Sequence, residues 1–474
     1  MTDITSLSAL DLSAAIHDRK FSCREVMAAC LDRIAAINPK VNAIVSLRDR
    51  DALLGEAATA DAELEAGRSR GWMHGMPHAV KDLSEAKGLP CVFGSPIYRD
   101  FVPDFDDIQV ERIRAAGAII IGKTNTPEMG LGSHTYNSVF GPTRNPYDPT
   151  KSAGGSSGGA AAALALRLVP VADGSDMMGS LRNPAGFNNV VGFRPSVGRV
   201  PALGNELFLG QLAVNGPMGR TVRDVAALLA VQAGYDERDP LSLPSEDFSI
   251  DPLPDLSGAR IGWLGDYKGY LPFEDGVLEL CRQSLTVFSD MGCHVEDVTQ
   301  TFEMGRLWES WLVLRHFLVA GGQKADYADP EKRAFMKPEM IWEIENGQRL
   351  SAAEVHAASG ARSDWYRYLC DLFAAYDFLI LPSAQVFPFD VTLDWPKAIS
   401  GRMMDTYHRW MEVVIGPTMA GLPVAAMPAG FGGNGLPAGI QIIGRPRADR
   451  AVLQAAAAYE ARTAWLGRLP ILDV

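Results

Sequence analysis

Residues 151–184 read K-S-A-G-G-S-S-G-G-A-A-A-A-L-A-L-R-L-V-P-V-A-D-G-S-D-M-M-G-S-L-R-N-P. The run predicts loop, helix, strand and loop. Glycines 154, 155, 158 and 159 bracket Ser156 and Ser157. A helix of small residues, about Gly158 to Leu166, follows them. Leu168 to Ala172 predicts a short buried strand, and the turn beyond it presents Ser175 and Ser180. A serine pair at a helix start and a serine beyond a strand suggest two halves of one site. Lys81, far upstream, completes it in this reading.

Lys81 lies in His78–Leu83 (HAVKDL), a strand-like segment. A lysine titrates near ~10.4 in water and is no base while charged. Burial disfavours the ammonium and lowers the pKa. A neutral lysine can draw a proton from a serine hydroxyl. A shift of about three units corresponds to roughly 4 kcal/mol, which the fold must supply. Each part also has an ordinary reading: a lysine paired with a carboxylate, serines that merely cap a helix, a turn that merely leaves a strand. The turn at 177–180 can also aim successive N–H groups at one point, which would stabilise an oxyanion.

Outward from this core, the chain of 474 residues is 47% hydrophobic, enough for a sizeable interior. Its formal net charge of −13 gives no electrostatic footprint for nucleic acid or an anionic membrane. A cytoplasmic protein is the expectation. The six cysteines (Cys23, Cys30, Cys91, Cys281, Cys293, Cys370) contain no CxxC pair, so neither a zinc knuckle nor a disulfide framework is indicated. The N-terminal MTDITSLSAL does not read as a signal peptide. The most apolar run, Ala160–Ala172, holds Arg167 and Pro170 and is too short to span a bilayer.

Residues 1–70 predict helices. Ser22 caps an amphipathic run that Asn38-Pro39 should end, and another spans about Asp51–Glu65. From Gly75 strands and helices alternate: a helix over Asp107–Ala116, a strand over Ala118–Ile121, and a turn then helix over 216–232. Ala259–Leu264 and Asp377–Leu381 predict strands, with a helix over about Asp275–Ser289 between them. Thr418–Gly444 predicts two more strands, and about Asp449–Thr463 a last helix. Apolar rather than alternating strands argue for a largely parallel sheet covered on both faces. Residues 300–410 read as helices with long loops and carry most of the tryptophans. No linker cuts the chain, so one large α/β domain is expected over 1–474.

Three other motifs carry less weight. Gly117–Thr124 fits G-x4-G-K-T, but its variable residues are Ala-Ile-Ile-Ile, a strand where a phosphate loop needs a loop. Gly155–Gly159 fits G-x-S-x-G, but no strand precedes it and the downstream histidines (His294, His316, His356, His408) lie in poorly patterned regions. His74 and His78 are four apart, but Gly75 and Pro77 break the helix a metal pair needs; surface or pocket-edge histidines are expected.

Six segments together go further. GMPHAVKDL (75–83), GKTNTPEMG (122–130), FGPTRNPYDPTKSAGGSSGG (140–159), DGSDMMGSLRNPA (173–185), VVGFRPSVGRVP (190–201) and GPMGRTVRD (216–224) resemble the amidase signature family. AGLPVAAMPAGF (420–431) and GLPAGIQIIG (435–444) look like its closing strands. The resemblance implies one domain: a central mixed sheet of many strands between helical layers, with a dense core at about 75–225. It implies a Ser-cisSer-Lys triad in which Lys81 is the general base, Ser156 the bridging serine with a cis Gly155–Ser156 bond, and Ser180 the nucleophile. Ser157 is expected to brace the loop. The N–H groups of Met177, Met178, Gly179 and Ser180 are expected to form the oxyanion hole, and the Gly130 carbonyl to receive the substrate's N–H. No metal or organic cofactor is implied.

One position departs from the family's pattern. Met178 stands where a glycine is usual, which would be strained if the site needed φ > 0. The resemblance leaves three functions open: a free-standing amidase for a small carboxamide or aryl/alkyl amide, the glutaminase component of a glutamyl-tRNA amidotransferase complex, and an inactive binding scaffold. A homodimer is a further expectation. The substrate pocket is expected between 125–135, 177–210 and the variable 300–410 region. There Trp308, Trp311, Phe317 and Trp342 are candidates for an aromatic lining.

Overall fold

The serine at position 22 starts its helix as expected: Ser22 Oγ accepts the Glu25 N–H at 3.1 Å, and the Glu25 carboxylate receives the Ser22 N–H at 2.8 Å. The helix does not end at Asn38-Pro39, however. It carries Pro39 inside its last turn and stops at Asn42, which adopts the left-handed conformation (φ 54°). Asn38 makes this possible, because its Oδ1 accepts the N–H groups of Ala43 and Ile44 just past the end.

The computed structural model describes residues 3–204, 206–470 and 472. Its strands are β1 (Pro77–Lys81), β2 (Ile119–Thr124), β3 (Val171–Asp176), β4 (Val191–Arg194), β5 (Val214–Gly219), β6 (Arg260–Trp263), β7 (His294–Asp297), β8 (Phe378–Pro382), β9 (Val424–Phe431) and β10 (Pro437–Ile443), with three two-residue pieces besides. The longer helices are α1 (Ala9–His17), α2 (Cys23–Val41), α3 (Arg50–Glu65), α4 (Ile108–Ala115), α5 (Gly158–Ala165), α6 (Arg182–Asn188), α7 (Val222–Gln232), α8 (Val277–Ser284), α9 (Met304–Gly322), α10 (Pro338–Arg349), α11 (Ala352–Ala375) and α12 (Asp449–Glu460). Strands β3 to β10 form one eight-stranded sheet in the order β3-β5-β4-β9-β10-β8-β6-β7. Strands β1 and β2 pair in parallel in a small sheet beside it, with Ile44–Val45 antiparallel on the far edge of β2.

The sheet is mixed, as the family resemblance implied, and not largely parallel, as the apolar strands suggested. Only β8-β6 and β6-β7 run parallel; every pairing from β3 through β10 to β8 is antiparallel. The apolar runs report coverage, not direction. Ala425, Met427 and Ala429 of β9 pack with residues of α7, α8 and α12 on one face. Ala426 between them faces the cluster built from α2 and α5. A strand buried on both sides reads as continuously apolar whichever way its neighbours run.

Two further expectations shift. The strand expected over Leu168–Ala172 begins only at Val171 and continues to Asp176, because Pro170 cannot join a ladder. Ser175 is therefore a strand residue and not part of the turn. The turn expected at the start of 216–232 is instead the end of strand β5, which begins at Val214; Pro217 hid it, and it pairs there with β3 alone, since the ladder with β4 reaches only Met218 and Gly219. Trp308 and Trp311 are core residues packed with Trp365 and Trp410. Among the described residues, no helix is long and apolar enough to cross a membrane.

Candidate active site

Four pieces of chain converge where the two sheets meet. β1 ends at Lys81, β3 carries Ser175, α5 starts after Ser157, and the turn at 177–181 leaves β3. Lys81 is fully buried. Its Nζ lies 2.8 Å from Ser156 Oγ, 2.8 Å from Ser157 Oγ and 3.0 Å from Ser175 Oγ. Burial lowers its pKa from 10.5 to about 7, against the opposing pull of Asp173 and Asp176. A neutral amine has two N–H donors and one lone pair, so this ring of hydroxyls can both receive from it and give to it.

The serine pair does not cap α5: Ser157 makes no side-chain capping bond. Its hydroxyl turns to Lys81, and its N–H donates to the Ser180 carbonyl at 3.2 Å, tying the two halves together. The Gly155–Ser156 peptide bond is cis. Thr135 Oγ1 accepts the Gly158 N–H at 3.2 Å and donates to the Ser156 carbonyl at 3.4 Å. Ser156 and Ser180 both line the same cavity. Among the described residues no hydrogen bond joins their hydroxyls.

Asp176 shapes the turn that bears Ser180. Its carboxylate accepts the N–H groups of Gly179 (2.9 Å) and Leu181 (3.0 Å) and pairs with Arg182 and Arg194. Burial alone would raise its pKa, but the two guanidiniums hold it well below the usual carboxylate range. The N–H of Gly179 is thus committed to Asp176; among the described residues, no hydrogen-bond partner is found for the N–H groups of Met177, Met178 and Ser180, the other three donors expected. Gly179 has φ 81°, and a Cβ there would meet Val414 at 2.9 Å, so the turn requires glycine. Met178 is not among the residues with positive φ. The methionine is therefore unstrained, and its side chain is buried in an apolar cluster.

The cavity in front of these groups encloses about 230 Å³. Its wall comes from residues 129–132, 175–180, α9 and the start of α10, close to where the sequence placed it. Gly130 lines it at φ 71°, and a Cβ there would press on Leu83 at 2.7 Å. None of Trp308, Trp311, Phe317 and Trp342 lines it; α9 turns its tryptophans to the core and Arg315, Leu318 and Val319 to the cavity. Ser175 at Lys81, Asp176 behind the turn and Arg315 in the wall are roles that sequence reasoning missed. The first two stand inside the DGSDMMGS segment, where their polarity amid small residues was the available signal. Arg315 had no local signal.

His74 and His78 are neither surface nor pocket-edge residues: both are fully buried. His74 Nε2 lies 2.9 Å from the Ala60 carbonyl, and His78 Nε2 lies 3.0 Å from Asp173 Oδ1. The same Asp173 accepts the Lys81 N–H, so the pair anchors the end of β1 to β3. Among the described residues no group of three or more His, Cys, Asp or Glu is placed to hold a metal ion.

This arrangement can be set beside known proteins. The Amidase family model matches residues 25–453. An acylamidase of Rhodococcus erythropolis is 34% identical over 98% of this chain and 97% of its own. The A-type component of the glutamyl-tRNA(Gln) amidotransferase of Acidothermus cellulolyticus is also 34% identical, over 100% of this chain and 98% of its own. Among solved structures, a bacterial aryl acylamidase of the amidase signature family superposes with a TM-score of 0.91 at 30% identity, covering 97% of this chain and 96% of that one. With that family match spanning nearly its whole length, the chain belongs to the amidase signature family and is an amidohydrolase.

Proposed function

We propose that this protein is a free-standing amidase that hydrolyses the C–N bond of a small carboxamide or aryl/alkyl amide through an acyl-serine intermediate. The observation that carries the reading is the buried Lys81 Nζ, 2.8 Å from Ser156 Oγ, beside a cavity that Ser180 also lines. Neutral Lys81 accepts a proton from Ser156 as Ser156 accepts one from Ser180. Ser180 Oγ attacks the amide carbonyl, and the oxyanion is held by the N–H groups of Met177, Met178 and Ser180. The Gly130 carbonyl receives the substrate's N–H. The proton returns along the relay to the leaving nitrogen as the C–N bond breaks. Water then attacks the acyl-serine, releasing the acid and restoring Ser180. Residues 300–410 act as the substrate-covering region, a role supported by the stretch of α9 in the cavity wall. The small-molecule amide is read from the acylamidase relatives. A cytoplasmic location fits six cysteines that are all free.

The second reading is the glutaminase component of an amidotransferase, favoured by relatives that bear that enzyme's name at up to 34% identity. Such a site must hold an α-carboxylate, and Arg315, the one arginine among the cavity-lining residues described, is already paired with Glu343 at 2.6 Å. The test is ammonia and amine release from aliphatic, aromatic and anilide amides and from glutamine, with no partner protein, for wild type and Ser180→Ala. Turnover of a non-glutamine amide that is lost in Ser180→Ala supports the amidase. Turnover of glutamine alone supports the second reading, and activity unchanged in Ser180→Ala removes the nucleophile assignment.

A further inference from the structure

The cavity wall supplied by α9 repeats with helical spacing: Arg315, Leu318, Val319 and Gly322 stand at i, i+3, i+4 and i+7. Around them the lining is mostly apolar, with Leu83, Met129, Leu131 and Met340, and no carboxylate is among the lining residues described. Arg315 is the only charged side chain that α9 offers to it.

Arg315 is fixed from three sides. Its Nε donates to Glu343 Oε1 at 2.6 Å and its Nη2 to the Tyr407 hydroxyl at 2.6 Å. The Tyr407 hydroxyl in turn donates to Glu343 Oε1 at 2.6 Å, and His316 Nδ1 lies 2.5 Å from Glu343 Oε2. The Trp311 and Tyr407 rings flank the guanidinium, 5.7 and 5.8 Å from its carbon. Burial opposes the charges, but each partner holds the other ionised: Glu343 is kept well below the usual carboxylate range, and Arg315 above its ordinary value. The charge is therefore compensated, and the side chain cannot swing.

One donor is left over. Among the described residues, the only polar partner of Arg315 Nη1 is the thioether of Met177, at 3.2 Å, a weak acceptor. That nitrogen belongs to a 4% exposed residue at the cavity wall, next to the turn that carries Ser180. An N–H without a strong acceptor in a buried wall gains from any oxygen brought to it. A carboxylate gains less, because it would also meet the field of Glu343 and lose its hydration in an apolar cavity.

We propose that Arg315 is a specificity-determining residue of this amidase: its Nη1 donates to a neutral acceptor oxygen on an otherwise apolar, uncharged amide. The assignment rests on the proposed amidase reading and narrows its substrate class to amides that carry such an oxygen away from the scissile bond.

Phenylboronic acids test it without turnover, since the boron takes a serine hydroxyl reversibly while the ring substituent explores the cavity. Methoxy, ethyl and carboxy groups, each at the 3- and 4-positions, would be titrated calorimetrically against wild type, Ser180→Ala, Glu343→Gln, and Arg315→Met combined with Glu343→Gln. The paired variant removes the buried charges together, which cores tolerate better than losing one. We expect methoxy to bind about tenfold tighter than ethyl at one ring position in wild type, the scale of a hydrogen bond from a charged donor. That preference should vanish in the paired variant. In Glu343→Gln the carboxy compound should gain on the methoxy compound. Equal binding of methoxy and ethyl at both positions in wild type would overturn the assignment, and this arm needs no variant to fold. A preference that survives in the paired variant overturns it too. Loss of all binding in Ser180→Ala with no methoxy preference in wild type removes Arg315 and leaves the amidase standing. Binding indifferent to Ser180→Ala removes the serine reading, and Arg315 falls with it.

Discussion

Lys81 Nζ stands 2.8 Å from Ser156 Oγ, with Lys81 at 0% exposure and Ser156 at 2%. A charged lysine so placed would have no lone pair to offer the serine. Its pKa of about 7 lets the neutral form prevail only above that pH. We therefore expect kcat/KM for a neutral amide to rise tenfold per pH unit below about 7 and level off above it. Lys81→Met should lower kcat by about 10³-fold, within the usual range for loss of a general base. A pH–rate profile of wild type checks the first, and a flat profile would contradict the assignment of Lys81 as base.

The same lysine acts on stability with a definite sign. Below about 7 it is charged both folded and unfolded, and the folded state carries the whole cost of burying it. Between about 7 and 10.5 the unfolded chain holds a proton that the folded chain has released, so stability rises with pH. The shift corresponds to roughly 4–5 kcal/mol over that window. Lys81→Met removes this dependence. Its stability relative to wild type should be greatest near pH 6 and should decline steadily toward pH 10, as measured by denaturant unfolding at each pH.

Ser157 separates a structural serine from a functional one. An N-cap serine replaced by alanine costs about 1 kcal/mol. Ser157 makes no capping bond and spends its hydroxyl on Lys81 instead. Ser157→Ala should therefore lower kcat by about 10–100-fold and displace the pH profile, at a stability cost on the scale of one lost buried hydrogen bond, about 1 kcal/mol. A loss of stability with kcat and pH profile unchanged would leave Ser157 a purely structural partner of Lys81.

Asp176 tests the turn that presents Ser180. Asp176→Asn leaves the buried Arg182 and Arg194 facing each other without their common counter-charge. Breaking such a pair costs about 3–5 kcal/mol. Because the folded-state pKa of Asp176 is depressed, its stabilisation is present above the ordinary carboxylate range and fades as pH falls. Wild type and Asp176→Asn should thus converge in stability toward acid pH. Equal stability of the two at pH 7 would show that the arginines are held by other partners.

The glycine-serine run told of the site because its chemistry is local: the serine pair and Ser180 lie within 25 positions of one another, and Lys81 stood out on an apolar strand. What was not legible depends on contacts between distant segments. Strand direction was misread because Ala425 and Ala426 are both buried, on opposite faces, and burial carries no sign of polarity. Strand β5 was hidden by Pro217, which is tolerated because the β4-β5 ladder has already ended at Met218. Arg315 meets Glu343 across 28 positions and Tyr407 across 92, and nothing in α9 announces which face it turns to the cavity. Trp308 and Trp311, the louder signal in that helix, belong to the core.

At Met178 the family resemblance led to the expectation of a glycine, and the structure indicates what that change should do. The residue does not need positive φ, so Met178→Gly relieves no strain. It removes a side chain at 2% exposure from the cluster that includes Phe187 and Val414, and it frees backbone entropy in the unfolded chain. Truncating a buried methionine costs about 2–5 kcal/mol, and glycine adds up to about 1 kcal/mol more. The space gained opens into the cavity, whose wall Met178 forms beside Ser180. Thermal unfolding should therefore show a marked loss of stability, while kcat/KM should shift toward bulkier acyl or aryl groups at the expense of the smallest amides. If Met178→Gly keeps the wild-type ranking of substrates, the methionine fills the core without shaping the pocket.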